Sequence, residues 1–275
     1  MNYIKLLEEE LNTNYQVDSH IQLDEAYIVG SGDSYASGLV IEGKSKRKIT
    51  VLDPYEALEV NITKPTVIVS VSGKTRYNVI LAKKLRSKGV KVIGITANSE
   101  SPLAKEVNDV VILPYRSKAK LPGFLSFLMS LSALYSMFRF EEDKERVNKV
   151  INLDNSPFFI GKSENYGVAY FSSLKMAEVF GIPSNYERLE LFMHSPIFSS
   201  RNRNIIILSS GDERENKLYK LIDFTIVEET GCVGAFCNIR VILSSIIYKM
   251  KRDNWNRIYF LEDEKILNIS SEMIY

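Results

Sequence analysis

The chain has 275 residues, a net charge of +1, 45% hydrophobic and 25% charged residues. These are the proportions of an ordinary soluble globular protein, with length for one large or two medium domains. No basic stripe is present, and Lys44-Ser-Lys-Arg-Lys48 reads as a solvated loop rather than a nucleic-acid patch, so no nucleic-acid partner is expected. Cys232 and Cys237 are the only cysteines. They have no second cysteine pair and no suitably spaced histidine, which argues against a zinc site, and two cysteines are too few for a disulfide framework. A reducing, cytoplasmic location is the simplest expectation.

The N-terminus, Met1 to Glu10, is acidic and amphipathic and lacks the pattern of a signal peptide. Residues 3–12 predict a short helix. Ala26–Val29 predicts a strand, followed by the turn Gly30-Ser-Gly-Asp-Ser-Tyr-Ala-Ser-Gly38 and a helix from Tyr35 to about Glu42. Strands follow at 49–52 and 67–70, then a helix over 78–88 and a strand over 90–96. Ser101-Pro102 fits a helix start, with Ser101 as N-cap and Pro102 at the first helical position. A strand at 110–113 and a long helix from Pro122 complete the first half. Its apolar stretch, Phe124 to Phe138, is too short and too serine-rich to span a bilayer, so no membrane partner is expected. The charged run Glu141–Arg146 interrupts the pattern and reads as an extension of the long helix into solvent.

Strands alternating with helices predict an α/β fold, a mainly parallel sheet covered on both faces. In such sheets ligands sit beyond the carboxyl ends of the strands. Two turns lie there, 30–38 and 70–75. The second, Val67-Ile-Val-Ser-Val-Ser-Gly-Lys-Thr75, is an apolar strand, a hydroxyl-rich turn and a helix start. Its backbone N–H groups and helix dipole suit a phosphate, and Ser70, Ser72 and Thr75 add hydroxyl donors. Gly73-Lys-Thr75 is not a nucleotide P-loop, because the glycine that motif needs five residues earlier is Ile68, inside the strand. The alternative is an ordinary strand–turn–helix joint whose serines serve only as caps.

After residue 146 the pattern begins again. Pro157–Tyr166 echoes Ala26–Tyr35, and Asn204–Asp212 echoes Thr66–Lys74. A last strand falls within 221–227 and a helix over 239–250. The chain therefore reads as two copies of one α/β unit. Glu213 and Arg214 follow Asp212 in the second copy, where the first has threonine, so one working phosphate site is expected, in the first half.

Gly32-Asp-Ser-Tyr35, Ser70-Val-Ser-Gly-Lys-Thr75 and Val92-Ile-Gly-Ile-Thr-Ala-Asn-Ser-Glu-Ser-Pro-Leu-Ala104 together resemble the sugar isomerase (SIS) domain. The likeness covers residues 24–140, with a weaker second SIS-like copy at about 155–250. It implies two three-layer α/β/α units and a phosphosugar ligand, held by Ser34, Ser70, Ser72 and Thr75 with Gly32, Asp33 and Gly73 beside it. Leu174-Lys-Met-Ala-Glu178 followed by His194-Ser-Pro196 resembles the isomerase domain of glucosamine-6-phosphate synthases and related deaminases. The resemblance implies Glu178 as the proton-shuttling base, His194 as the ring-opening acid/base, and a homodimer that supplies the histidine across its interface. The expected layout is a lead-in helix (1–23), a phosphosugar-binding domain (24–145), a domain with the catalytic Glu and His (146–250) and a tail (251–275). Three departures stand out. Ser195 replaces the family's glycine, Lys74 replaces an acidic or amide residue, and Arg257 and Lys265 in the tail do not match the spacing of the family's closing lysine. No glutaminase domain or N-terminal cysteine nucleophile is present in the chain.

Chemistry fits these roles. Aldose–ketose interconversion needs a partly desolvated carboxylate to move a proton between adjacent carbons. Ring opening needs a group that exchanges protons near neutrality, and the chain has only two histidines, His20 and His194. Lys175 shares a helix face with Glu178 and either stabilises an enediolate or simply pairs with that carboxylate. No metal or redox cofactor is needed. The expected activity is isomerisation or deamination of an aminosugar or hexose 6-phosphate. A phosphoglucose/phosphomannose isomerase and a non-catalytic phosphosugar sensor are the alternatives. The sensor lacks a DNA-binding segment, because residues 1–23 are too short and acidic to provide one.

Overall fold

Every strand pairs in parallel, in two separate sheets. The computed structural model describes residues 1–275. In chain order the elements are α1 (Tyr3–Asn12), β1 (Tyr27–Val29), α2 (Asp33–Lys44), β2 (Thr50–Leu52), β3 (Thr66–Val69), α3 (Arg76–Ser87), β4 (Val92–Thr96), α4 (Pro102–Glu106), β5 (Asp109–Ile112) and α5 (Phe124–Met137). Then come β6 (Phe158–Gly161), α6 (Glu164–Phe180), β7 (Asn185–Arg188), α7 (Leu189–Phe192), β8 (Ile205–Leu208), α8 (Glu213–Leu221), β9 (Val227–Glu229), α9 (Ala235–Arg252) and α10 (Glu264–Ile274). The chain divides into two compact units. One comprises 14–119, 125–141 and 263–275; the other comprises 1–13, 120–124 and 142–262.

The first unit holds a five-stranded sheet of order β2-β1-β3-β4-β5. Its strand order reverses between β1 and β3, which makes the carboxyl ends of those two strands the switch point where such sheets bind ligands. Strands β3 and β4 are buried at every position. That is why they read in sequence as continuous apolar runs, without the alternation of a half-exposed strand. Val29, Ile68, Leu81, Ala82, Leu85 and Leu103 form one core cluster on this sheet. The apolar helix α5 is buried at every position but Ser136, as expected of a helix that is hydrophobic all round. Its serines hold the chain that leads into β1. Val17 N–H donates to Ser132 Oγ at 3.2 Å and Ser19 N–H to Ser136 Oγ at 2.9 Å.

The second unit repeats the pattern with a four-stranded sheet of order β7-β6-β8-β9. The repeat extends to backbone angles. Gly32, before α2, has φ 56° and ψ −124°; Ser163, before α6, has φ 52° and ψ −121°. A serine thus adopts a left-handed conformation that the first copy assigns to glycine. α1 packs on α9 in this unit, where Lys251 pairs with Glu8 at 2.5 Å.

Three expectations are corrected. The charged run 141–146 does not extend the long helix: α5 ends at Met137, Arg139 takes φ 56°, and 141–150 is irregular. The strand expected within 221–227 lies at 227–229, because Leu221 still belongs to α8. The two cysteines, which give no framework, are joined to each other as a single clip across five positions. No helix is long and apolar enough to cross a membrane.

Candidate functional site

The turns after β1 and β3 both leave the switch point of the first sheet. The turn after β3 is shaped by Gly73, at φ 63°. A Cβ there would lie 2.1 Å from Ser101 Oγ and 2.9 Å from Thr96 Oγ1. The turn is pinned from behind by the β4–α4 segment. Ala97 N–H donates to Val71 O at 2.9 Å, Thr96 Oγ1–H to the same oxygen at 3.1 Å, and Leu103 N–H to Gly73 O at 3.0 Å. Ser101 Oγ in turn caps α4 by accepting from Ala104 N–H. Thr96 and Ser101 are fully buried. They belong to the Ile-Thr and Ser-Pro-Leu-Ala stretches that carried the resemblance, and their place shows that these residues brace the turn from behind.

On the open side, Ser70 Oγ and Thr75 Oγ1 lie 3.2 Å apart, and Lys74 N–H donates to Ser72 Oγ at 3.2 Å. Thr75 is the N-cap of α3, but no side chain caps that helix. The first amides of a helix have no partner within it, and the dipole end of α3 carries no side-chain cap, with the Ser70–Thr75 hydroxyl pair at its N-terminus. Ser34, 9% exposed, sits in the first turn of α2, after Gly32 at the N-cap and Asp33. Asn78, in the first turn of α3, is 1% exposed and its Oδ1 has no hydrogen-bond partner. Sequence reading placed Asn78 only as the start of an apolar helix face and missed it as a buried acceptor.

The matching turn of the second unit is closed. Glu215, 4% exposed, folds its carboxylate back over it. Oε2 accepts from Ser210 N–H at 2.7 Å and Asp212 N–H at 3.4 Å, and Oε1 accepts from Ser210 Oγ–H at 2.7 Å. Asp212 caps α8 in the same capping box. An internal carboxylate thus occupies the second turn, whereas in the first the amide of Lys74, equivalent to that of Asp212, turns to Ser72 Oγ and no carboxylate enters.

The second unit carries the other expected residues. Lys175 and Glu178 lie three apart on α6, 2.5 Å from Nζ to Oε2. The Lys175 side chain is 0% exposed and that of Glu178 is 32% exposed. Lys175 Nζ also lies 5.0 Å from the centre of the Phe171 ring. A buried ammonium demands such partners, and it holds the carboxylate in one place. His194 follows α7 with its side chain 71% exposed, and its Nε2 is 3.4 Å from Glu190 Oε1. The Arg214 guanidinium, then the His194 ring, hold the Glu190 carboxyl below the usual carboxylate range. The structure therefore joins Ser70 with Thr75 and Lys175 with Glu178, and pairs His194 with Glu190. Leu191, Met193 and Phe198 around His194 are exposed, Phe198 by 85%.

Residues 55–139 match the SIS domain family. One SIS domain is matched where two were expected; the second sheet, of the same strand order, lies outside that range. The glutamine–fructose-6-phosphate aminotransferase of Clostridium perfringens is 22% identical over 70% of this chain. That of Caldanaerobacter subterraneus subsp. tengcongensis is 24% identical over 86%. The chain spans 38% and 46% of the length of these relatives. Among solved structures, the glucosamine-6-phosphate deaminase of Thermotoga maritima is similar with a TM-score of 0.69 at 22% identity, covering 92% of this chain and 95% of the other. The tagatose-6-phosphate ketose/aldose isomerase of Escherichia coli is similar with a TM-score of 0.60 at 13% identity, covering 89% and 83%. These likenesses establish the fold, α/β with parallel sheets.

Proposed function

We propose that this protein is a phosphosugar isomerase or deaminase acting on an aminosugar or hexose 6-phosphate. The observation that carries this reading is the contrast between two equivalent turns. The one after β3 carries Ser70, Ser72 and Thr75 and leaves the α3 dipole end without a side-chain cap, while the one after β8 is filled by Glu215. Neutral hydroxyl and amide donors suit a phosphomonoester that must bind and leave. Gly32, Asp33 and Ser34, at the neighbouring strand of the switch point, supply the adjoining wall, and Gly73 lets the backbone make its close turn.

In the reaction, His194 opens the sugar ring by exchanging a proton with the ring oxygen. Glu178 removes a proton from one of C1 and C2 and returns it to the other through an enediol or enolamine. Lys175 holds the Glu178 carboxyl in place and offsets the charge that develops on the intermediate oxygen. From an aminosugar, proton transfer and hydrolysis release ammonia and leave the ketose phosphate. The exposed apolar residues beside His194 suit a homodimer contact.

Proton NMR in D₂O, with glucosamine 6-phosphate and separately with fructose 6-phosphate, tests the proposal. Ammonia and fructose 6-phosphate from the first substrate support the deaminase branch. Glucose or mannose 6-phosphate from the second supports a hexose-phosphate isomerase. Binding without conversion of either, in a verified folded sample, overturns the enzymatic reading in favour of a sensor.

A further inference from the structure

The second unit holds a cluster of a different chemistry. Cys232 Sγ, Cys237 Sγ and a carboxylate oxygen of Glu145 all lie within 4.8 Å of one another. Both cysteines are 1% exposed and their Cα atoms are 5.7 Å apart. Glu145 comes from the acidic segment that follows the first sheet, and it is fixed in place. Its Oε2 accepts from Val233 N–H at 2.7 Å. Two residues earlier, Asp143 caps α9, accepting from Phe236 N–H at 2.8 Å and Cys237 N–H at 2.9 Å. Gly234 makes this possible: a Cβ there would lie 2.3 Å from Asp143 Oδ2. The acidic run therefore docks on the loop that carries the cysteines.

We propose that, when the disulfide is reduced, Cys232, Cys237 and Glu145 form a binding site for one thiophilic divalent cation, of which Zn²⁺ is the type. Four residues separate the cysteines, within the spacing of zinc-ligand pairs. Two thiolates and a carboxylate supply a borderline-soft donor set that leaves the fourth tetrahedral position for water. Oxidation and metal binding are then alternative states of one sulfur pair. A dithiol or phosphine reduces the bond with two electrons, giving two thiols. Each thiol gives up its proton as the cation binds. A bound cation would clamp the segment 143–145 to the start of α9, a crosslink between residues nearly ninety positions apart in sequence. Sequence alone could not show this site, because the third ligand is remote from the Cys pair.

The test uses the full chain, reduced with a phosphine in water and titrated anaerobically with Co²⁺ alone. The expected result is thiolate-to-cobalt charge-transfer absorption and tetrahedral d–d bands saturating at one equivalent per chain, with displacement by Zn²⁺. Cys237→Ser abolishes the bands. Glu145→Gln, which keeps a hydrogen-bond acceptor for Val233, weakens Co²⁺ binding by about tenfold or more, as losses at or near metal ligands do. Thermal melts of each variant establish that it is folded. Two free thiols by chemical count, with no charge-transfer band in the folded protein, overturn the proposal. Co²⁺ affinity unchanged in folded Glu145→Gln also overturns it. A bond that stays closed to phosphine in the folded chain shows a purely structural disulfide and overturns it too.

Discussion

Replacing Gly73 by alanine tests the packing that shapes the turn after β3. At φ 63° an L-residue with a Cβ costs about 1 to 2 kcal/mol relative to glycine. The new methyl would also meet Ser101 Oγ at 2.1 Å and Ser101 Cβ at 2.4 Å, and Ser101 has no exposed surface into which to retreat. Overpacking of that kind adds about 1 to 3 kcal/mol. Gly73→Ala should therefore destabilise the chain by about 3 kcal/mol. Ser101→Gly removes both colliding atoms and, as an N-cap change to glycine, costs only a few tenths of a kcal/mol. The double variant should retain the backbone penalty and the 2.9 Å approach to Thr96 Oγ1 but lose the collision with Ser101, giving a coupling of about −2 kcal/mol in a double-mutant cycle. Urea unfolding of the four proteins measures this, and phosphate titration followed by ³¹P NMR reports the turn itself. Additive costs, or a Gly73→Ala loss under about 1 kcal/mol, would refute the argument that β4–α4 braces the turn.

Glu178→Gln should lower turnover by about a thousandfold, within the range of general acid–base contributions, and leave phosphate binding intact. Equal turnover in steady-state assays would remove Glu178 as the base. Phe198→Glu places a charge on a side chain that is 85% exposed; sedimentation velocity should show a lighter species than wild type, while far-UV circular dichroism stays unchanged. The Asp253 carboxyl is lowered to about 2, first by the Arg252 hydrogen bond and also by Lys249, against the opposing effect of burial. Its folded value lies below the unfolded value of about 3.9. The stability it contributes is therefore complete above about pH 4 and fades as pH falls toward 2. Denaturation midpoints between pH 6 and pH 2 should fall less steeply in Asp253→Asn.

The fold was legible where burial leaves an unbroken apolar signal. Thr66–Val69 and Ile205–Leu208 are strands with every residue buried, and both are plain in sequence. Ser101 and Pro102 mark the start of α4 by capping chemistry alone. β7 was missed and β9 misplaced for the opposite reason. Asn-Tyr-Glu-Arg and Val-Glu-Glu are half-exposed edge strands with no apolar run. In the candidate site, the hydroxyls of Ser70, Ser72 and Thr75 were visible as a local motif. The roles of Thr96 and Ser101 were not, because a brace is a relation between segments about 25 residues apart. The missing threonine of the second turn was visible in sequence, but Glu215 as the group that fills it comes only from the folded geometry.

That filled turn makes the two halves of the chain thermodynamically unequal. A ligand stabilises only the state that binds it, and the gain grows with the logarithm of its concentration. With Glu215 already seated among the donors of the second turn, the proposed function has added phosphate act through the first turn alone. Amides around 70–78 should gain hydrogen-exchange protection as phosphate rises, while those around 209–215 keep a protection set by an anion that never leaves.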